Sequence, residues 1–346
     1  GFTGKIYPVN PKGGVIEGLQ AYPSVRDIPG DVDLAIIVVK SVFVLPTIDQ
    51  CHEKGIKGLC IISAGFKEAG EEGAELEKQL LEKVRAYGMR CVGPNCLGVV
   101  NTDPAVKMDG CFAESLPQRG DIGFVSQSGA LGGGILNILK DLNIGFSQFI
   151  SIGNQADVNA ETAIEYWENV DDVRQILLYM ESIQNPANFR RLASRVTKKK
   201  PILALKAGRS AAGASAASSH TGSLAGSDRA ADALLRQSGV IREQSLEKLF
   251  ATAKVFSNCP IPKGNRVAVI TNSGGPGIMA TDAICEYGMQ MAQITDETRA
   301  ALKSFLPAAA SVKNPIDMIA SAPLEHYRRT TETVLADPNV DMVIVI

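Results

Sequence analysis

Residues 34–63, LAIIVVKSVFVLPTIDQCHEKGIKGLCIIS, decide the fold. Two apolar runs, 34–39 and 58–63, flank a segment with helical spacing at 42–54. Neither run alternates apolar with polar residues, which is typical of strands buried on both faces. The pattern therefore predicts a parallel sheet covered by helices.

The same alternation continues on both sides of this stretch. A Glu- and Lys-rich helix is predicted at 71–87, a strand at 89–92, and a further strand at 5–10. Together they predict a Rossmann-like domain over residues 1–105. Its first strand and Gly-rich loop are not in the sequence, and we expect the chain to be a fragment truncated at both ends.

Two more α/β domains are predicted, at 118–257 and 264–346, the last one truncated. They are separated by the Pro- and Gly-containing segment 258–264, and a connector with little periodicity, 103–121, precedes them. The predicted strands of these domains are 122–125, 146–150, 175–179, 201–205 and 266–270, and the predicted helices are 160–168, 186–198, 225–238 and one ending near Ser257.

The composition excludes several classes of protein. Lys and Arg number 35 against 37 Asp and Glu, a net charge of −2, which argues against a nucleic-acid or polybasic membrane surface. The seven cysteines show no CxxC or Cys/His spacing, so we expect no disulfide framework, no metal site and a reducing cytoplasm. No apolar run approaches the roughly 20 residues that cross a bilayer, and no signal peptide opens the chain.

The second and third domains open with similar stretches, 120–132 and 264–277. Each is an apolar strand, then small polar residues, then glycines, then a helix whose first N–H groups make an anion site. Close packing of helix on sheet is the alternative reason for such glycines. The candidate phosphate-binding residues are Ser126, Gln127, Ser128, Gly129, Ala130, Asn272, Ser273, Gly274 and Gly275.

His220 lies in SSHTGS, residues 218–223, after a run of Ala, Ser and Gly. These neighbours cannot form an apolar cage, so an exposed loop histidine is expected. A nucleophilic imidazole needs its second nitrogen fixed, usually by a carboxylate. Glu181, where an apolar strand emerges, is the candidate; capping of the helix that follows Asn185 is its alternative role.

Small and polar residues also follow the strands of the first domain, which indicates a ligand at their carboxyl ends. They are Lys12, Val39, Lys40, Ser41, Ile62, Ser63, Ala64, Asn95 and Cys96. Cys91 and Cys96 have a second interpretation as buried packing thiols. Asn154 and Gln155 are candidates for lining an acyl pocket. Asp317 either faces the active site or closes a turn.

Six stretches, in order, resemble the ADP-forming acyl-CoA synthetases, relatives of succinyl-CoA synthetase. They are VGPNCLG at 92–98, GFVSQSGAL at 123–131, GNQAD at 153–157, SHTGSLAG at 219–226, TNSGGPG at 271–277 and NPID at 314–317. The resemblance implies a CoA-binding Rossmann-like domain followed by flavodoxin-like domains. It also implies interconversion of acyl-CoA, ADP and phosphate with acid, CoA and ATP.

The resemblance assigns roles to the candidates. His220 becomes the transiently phosphorylated residue, Glu181 the carboxylate that orients it, and the turns 126–130 and 272–276 a pair around the phosphate. The residues that follow the first-domain strands become CoA contacts. The glycines at 132–134 replace an aromatic residue of succinyl-CoA synthetases, which leaves room for another acyl group.

The resemblance also implies what the chain lacks. ATP or ADP with Mg²⁺ is expected on ATP-grasp domains, in a β subunit or a fused region, within a hetero- or homo-oligomer. The small-molecule partners are an acid or acyl-CoA and phosphate. A CoA-binding regulatory module of a lysine acetyltransferase is the alternative function. A third candidate function, that of a nicotinamide dehydrogenase, gives no role to the two similar turns in 120–132 and 264–277.

Overall fold

The apolar runs form parallel sheets in the computed structural model, which describes residues 2–114, 117–210, 212–213 and 227–346. The chain divides into two compact units, residues 1–259 and Pro260–Ile346. Each unit has its own sheets and its own buried apolar clusters.

The strands and helices below are those of the described ranges. The strands are β1 (Val15–Ile16), β2 (Leu19–Gln20), β3 (Leu34–Ile37), β4 (Gly58–Ile61), β5 (Arg90–Val92), β6 (Gly98–Asn101), β7 (Met108–Cys111), β8 (Gln118–Ser126), β9 (Gly145–Ser151), β10 (Gln175–Met180), β11 (Ile202–Lys206), β12 (Ile241–Glu243), β13 (Arg266–Thr271), β14 (Gln290–Met291), β15 (Ile316–Asp317) and β16 (Met342–Val345). The α-helices are α1 (Val44–Glu53), α2 (Glu71–Ala86), α3 (Gly129–Leu142), α4 (Ala160–Trp167), α5 (Pro186–Val196), α6 (Asp228–Gln237), α7 (Leu246–Asn258), α8 (Gly274–Glu286), α9 (Asp296–Lys303) and α10 (Leu324–Leu335).

The first sheet has the order β3-β4-β5 and is parallel, as predicted. Helices α1 and α2 cover it through side chains such as Val44, Ile48, Leu80 and Val84, which are fully buried. The loops at the carboxyl ends of its strands therefore share one edge.

The predicted strand at 5–10 is wrong. In the described residues this segment makes one isolated parallel bridge, between Val9 and Tyr22. Pro8 lies within it and has no N–H to donate; only its carbonyl is used, by the Tyr22 N–H at 2.9 Å. A regular ladder cannot form through that position.

The second sheet has the order β12-β11-β10-β8-β9-β6-β7 in the described part of the chain. Strands β8 to β12 pair in parallel, whereas β6 and β7 add an antiparallel edge. The connector predicted at 103–121 thus contains β7 and the start of β8. β6 precedes the predicted boundary at residue 105 yet pairs with β9, so the sheet crosses that boundary.

Helices cover both faces of the second sheet. On one face α4, α5 and α6 bury Ile164, Trp167 and Phe189, and on the other α3 and α7 pack around Phe124. A Cβ at Gly123 would lie 2.8 Å from the Trp167 ring. Glycine in this strand is therefore a packing requirement.

The second unit contains β13 paired in parallel with β14, β15 and β16, with α8, α9 and α10 in the connections. At the start of β13, Arg266 Nε lies 2.8 Å from Asp341 Oδ2, and the Arg266 backbone N–H donates to the same oxygen at 3.0 Å.

All seven cysteines are free thiols. Over the described ranges, no helix combines the length and apolarity needed to cross a membrane. The same residues contain no group of three or more His, Cys, Asp or Glu side chains arranged to hold a metal ion.

Candidate active site

Glu181 directly follows β10 and is buried, with 7% of its surface exposed. Its backbone N–H donates to Gln127 Oε1 at 2.8 Å, and the Ser182 N–H donates to the same oxygen at 3.1 Å. Gln127 Nε2 donates to Ser182 Oγ at 3.2 Å. Gln127, which follows the neighbouring strand β8, therefore fixes the backbone that carries the Glu181 carboxylate.

Gln127 was predicted to bind phosphate, and the structure gives it other partners. Its side chain is 6% exposed and is occupied by the loop after β10. Its backbone N–H donates to Tyr179 O at 3.0 Å. Gln127 thus holds the backbone of Glu181 and Ser182, and its contact with phosphate stays a prediction.

The capping role considered for Glu181 belongs to another residue. Asn185 is the N-cap of α5, and its Oδ1 accepts the Asn188 N–H at 3.0 Å. The carboxylate of Glu181 is thus not the N-cap of this helix.

The turn between β8 and α3 has two serine hydroxyls that hold its shape. Ser126 Oγ donates to Ser128 O at 2.7 Å, and Ser128 Oγ accepts the Leu131 N–H at 3.3 Å. Helix α3 begins at Gly129, so the N–H groups of Gly129 and Ala130 belong to the first turn, which has no intrahelical acceptors. This is the geometry of an anion-binding helix start.

The second turn repeats this pattern within its own unit. Thr271 Oγ1 donates to Ser273 O at 2.8 Å and accepts the Ser273 N–H at 2.9 Å, and α8 begins at Gly274. Asp317 Oδ2 lies 3.7 Å from the position of a Cβ on Gly274, and Oδ1 accepts the Ile319 N–H at 2.9 Å. Asp317 therefore closes a turn and also lies beside the helix start. The pairing of the two turns around one phosphate stays a prediction.

Ser63 joins three of the predicted CoA loops. Its Oγ accepts the Val39 N–H at 3.1 Å and donates to Val39 O at 2.5 Å, and its carbonyl accepts the Asn95 N–H at 3.0 Å. A Cβ at Gly65, where φ is +100°, would lie 2.8 Å from Ser41 Oγ. The residues that follow β3, β4 and β5 are thus in contact.

The remaining CoA candidates differ in exposure. Lys12 is in an exposed turn, where its N–H donates to Asn10 Oδ1 at 3.0 Å. Lys40 and Ala64 are exposed and Ile62 is half-buried. Their contacts with CoA stay predictions.

Cys96 is 4% exposed, with its Sγ 3.3 Å from Ile61 O and 4.0 Å from Cys60 Sγ. The interaction with Cys60 and the burial both raise the pKa of the Cys96 thiol. Burial raises the pKa of Cys91 to about 12. Both observations favour the interpretation as packing thiols.

Lys206 is a residue that the sequence analysis missed. It ends β11 in register with Met180, is 4% exposed, and has its pKa lowered by burial. It lines a cavity of about 540 Å³ together with Arg209, Asp228 and Gln244. The sequence did contain a signal for Lys206, because a lysine ends the otherwise apolar run ILALK at residues 202–206. His220, in contrast, lies outside the described residues.

Family models match three consecutive parts of the chain. A CoA binding domain covers residues 3–102, a succinyl-CoA ligase like flavodoxin domain 119–256, and a Ligase-CoA domain 267–346. The chain belongs to the ADP-forming acetate–CoA ligase family, and the resemblance drawn from the sequence is confirmed.

Among its relatives is the α subunit of acetate–CoA ligase [ADP-forming] II of Pyrococcus furiosus. It is 48% identical over 343 residues, which are 99% of this chain and 74% of the relative. The acetate–CoA ligase [ADP-forming] I of Archaeoglobus fulgidus is 45% identical and covers all of this chain, which spans half of that relative's length. Both are named as ligases, which gives the regulatory alternative no support.

A solved structure has the same fold. It is the dinucleotide forming acetyl-coenzyme A synthetase 1 of Ca. Korarchaeum cryptofilum in complex with phosphate and ADP, with a TM-score of 0.94 and 38% identity. The match covers 100% of this chain and 74% of that one. The predicted α/β fold class is confirmed.

Proposed function

We propose that this chain is the CoA-binding and phosphoryl-carrying part of an ADP-forming acyl-CoA ligase. The overall reaction converts acyl-CoA, phosphate and ADP into a carboxylic acid, CoA and ATP, and it runs in both directions. The observation that carries the proposal is the contact between Gln127 and Glu181. Through this contact, the loop that carries the buried Glu181 carboxylate is joined to the turn before α3, whose first N–H groups are suited to bind an anion, and this arrangement supports the proposal.

In the first step, a phosphate oxygen attacks the thioester carbonyl carbon. The C–S bond breaks, CoA leaves as the thiolate and takes up a proton, and an acyl phosphate remains. The N–H groups of Gly129 and Ala130 are suited to hold the phosphate oxygens, because donors fixed in advance stabilise charge without reorganisation.

In the second step, a ring nitrogen of His220 attacks the phosphorus of the acyl phosphate. The bond between phosphorus and the acyl oxygen breaks, and the carboxylate leaves. Glu181 accepts a hydrogen bond from the other ring nitrogen and so keeps the attacking nitrogen unprotonated. Lys206, at the end of the neighbouring strand, adds positive charge to this edge.

In the third step, ADP takes the phosphoryl group from His220 and becomes ATP. We assign this step to ATP-grasp domains outside the chain, in a second subunit or a fused region, where Mg²⁺ accompanies the nucleotide. The small side chains around His220 suit a loop that carries the phosphoryl group between two sites.

The test is phosphorylation of the full-length protein with ³²P-phosphate and acetyl-CoA in the absence of nucleotide. The wild type is expected to incorporate label as CoA is released, and His220→Asn to incorporate none. His52→Asn is the matched control, because His52 stacks on Tyr87 at 3.9 Å between ring centroids in the first sheet's helical layer. Stable label on His220→Asn would show that another residue carries the phosphoryl group.

A further inference from the structure

Asn154 lies in a buried hydrogen-bond cluster that the reaction scheme leaves unused. The residue is 5% exposed, and its Nδ2 donates to Glu68 Oε2 at 2.5 Å and to Glu77 Oε2 at 2.7 Å. Its Oδ1 accepts from Asn95 Nδ2 at 3.3 Å. The amide thus separates two carboxylates and is engaged on both sides.

The first carboxylate fixes the loop after β4. Glu68 Oε1 accepts the N–H groups of Gly65 at 2.6 Å and Phe66 at 3.1 Å, directly after the predicted CoA residues 62–64. Burial raises the pKa of Glu68, but hydrogen bonds from Asn154 and Gly65 outweigh it and leave the pKa below its ordinary value. Glu68 is therefore ionised at neutral pH and holds this loop as an acceptor.

The backbone of Asn154 contacts the same two loops. Its N–H donates to Pro94 O at 2.9 Å, next to Asn95. Lys67 Nζ donates to the Asn154 carbonyl and lies 3.4 Å from Glu77 Oε1. Lys67 is thus the cation that offsets the pair of carboxylates.

The neighbours of Asn154 contact the phosphate side of the site. The Ile152 N–H donates to Ser126 O at 2.9 Å, in the turn that begins α3. The Gln155 carbonyl accepts from Gln184 Nε2 at 3.1 Å, in the loop that begins with Glu181. Within four residues, the chain therefore contacts both the predicted CoA loops and the loops of the phosphate site.

We infer that Asn154 is a positioning residue that sets the distance between the acyl thioester and the phosphate; this role rests on the proposed function. Reacting atoms must approach to about 3–3.5 Å, and a displacement of about 1 Å can cost about 100-fold in rate. Asn154 ties the loops after β4 and β5 to the segment that contacts Ser126 and Gln184.

The first test is Asn154→Asp, which places a third carboxylate between Glu68 and Glu77. In the full-length enzyme with its ATP-grasp partner, CoA-dependent phosphorylation is expected to fall about 100-fold. ATP–ADP exchange through His220 does not use the CoA loops and is expected to stay within about twofold, since loop displacement acts only on the CoA step. The loss of rate is expected to be smaller at lower pH, because protonation of the introduced carboxylate relieves its repulsion with Glu68 and Glu77, beside which Lys67 lies as a cation.

Two further variants separate positioning from folding. Lys67 is less buried than Asn154, and Lys67→Met removes its hydrogen bond to the Asn154 carbonyl. We expect the rate of the CoA half-reaction to fall about tenfold, as for a small displacement of the reacting atoms. Gln175→Ala removes another buried amide, whose Nε2 donates to Ala253 O at 3.0 Å and Ser257 Oγ at 2.7 Å at the opposite end of β10. It is expected to lower both half-reactions equally or neither.

The outcomes distinguish the two proposals. A wild-type enzyme without CoA-dependent phosphorylation would overturn the proposed function. An active wild type with Asn154→Asp and Lys67→Met unchanged, or with both half-reactions reduced in parallel as in Gln175→Ala, would overturn the role of Asn154. Selective loss of the CoA half-reaction supports it.

Discussion

Gln127 shows how a single amide can fix the backbone that carries a buried carboxylate. Its Oε1 accepts two backbone N–H groups, that of the buried Glu181 and that of the half-buried Ser182. Without an acceptor, each buried N–H costs about 1–3 kcal/mol. The loop that carries the carboxylate is expected to shift when this acceptor is removed.

Gln127→Leu is therefore expected to lower the rate of His220 phosphorylation about 10- to 100-fold, because Glu181 no longer holds the imidazole in place. Rapid-quench ³²P labelling measures this rate. Binding of CoA, followed by calorimetry, is expected to be unchanged. Ser182→Ala removes only the bond to Nε2 and serves as the control. Equal labelling rates in wild type and Gln127→Leu would contradict the positioning role.

Individual site residues were predictable to different degrees. Glu181 was singled out because a carboxylate at the end of an apolar strand requires a partner, and the structure shows that it is buried; its catalytic role stays a prediction. The contact of Gln127 with the loop after β10 was missed because, from the sequence alone, a glutamine in a Ser/Gly turn is an equally good candidate for an anion ligand. Only the register of β8 against β10, Tyr179 opposite Ser126, brings it to the loop it holds.

At the scale of elements, helix α3 carries three consecutive glycines in different surroundings. A Cβ at Gly132 would lie 2.9 Å from the buried Phe149 ring, whereas one at Gly134 would meet nothing within 4 Å. Gly132 is a packing requirement. Gly134 gives the helix the conformational cost of glycine and no gain in packing.

Gly134→Ala is expected to stabilise the first unit by about 0.5–1 kcal/mol, because alanine lowers the entropy lost on helix formation. Gly132→Ala is expected to destabilise it by about 1–3 kcal/mol, because Phe149 must move in a packed core. Denaturant unfolding of the two variants measures both changes. The same sign of change in both would contradict the packing described for α3.

The elements predicted best were those with the longest apolar runs. β10, β11, β13 and the second half of β8 are buried on both faces, as expected for continuous apolar runs in a parallel sheet covered by helices. β6 and β7 were missed because GVVN and MDGC are too short and too polar for periodicity to identify them. β6 pairs with β9, which is distant in sequence, and β7 pairs in turn with β6.

At the scale of the whole molecule, the second unit contains an ion pair between the start of β13 and the residue before β16. Arg266 lowers the pKa of Asp341 from its ordinary value of 3.8 to about 2, through hydrogen bonds from its side chain and backbone. A carboxyl whose pKa is lower in the folded state stabilises that state above pH 3.8. The contribution is lost as the pH falls towards 2.

Asp341→Asn is therefore expected to lower the denaturant midpoint of the second unit at pH 7, and the difference from wild type should narrow below about pH 4. Unfolding followed by circular dichroism between pH 7 and 3 measures it. The control is Glu325→Gln, which removes an exposed pair with Arg328, a kind of pair that contributes little to stability. A difference that does not depend on pH would show that the charge of Asp341 is not responsible.

The antiparallel strands β6 and β7 also limit how such enzymes can be recombined. Only residues 93–97 separate β5, in the CoA-binding sheet, from β6, in the edge of the next sheet. A chimera cut near residue 102, where the CoA-binding family match ends, would leave the recipient with a foreign edge strand on β9. A chimera that exchanges the CoA-binding part between relatives should therefore be joined within residues 93–97, so that the second sheet keeps its own β6–β7 hairpin.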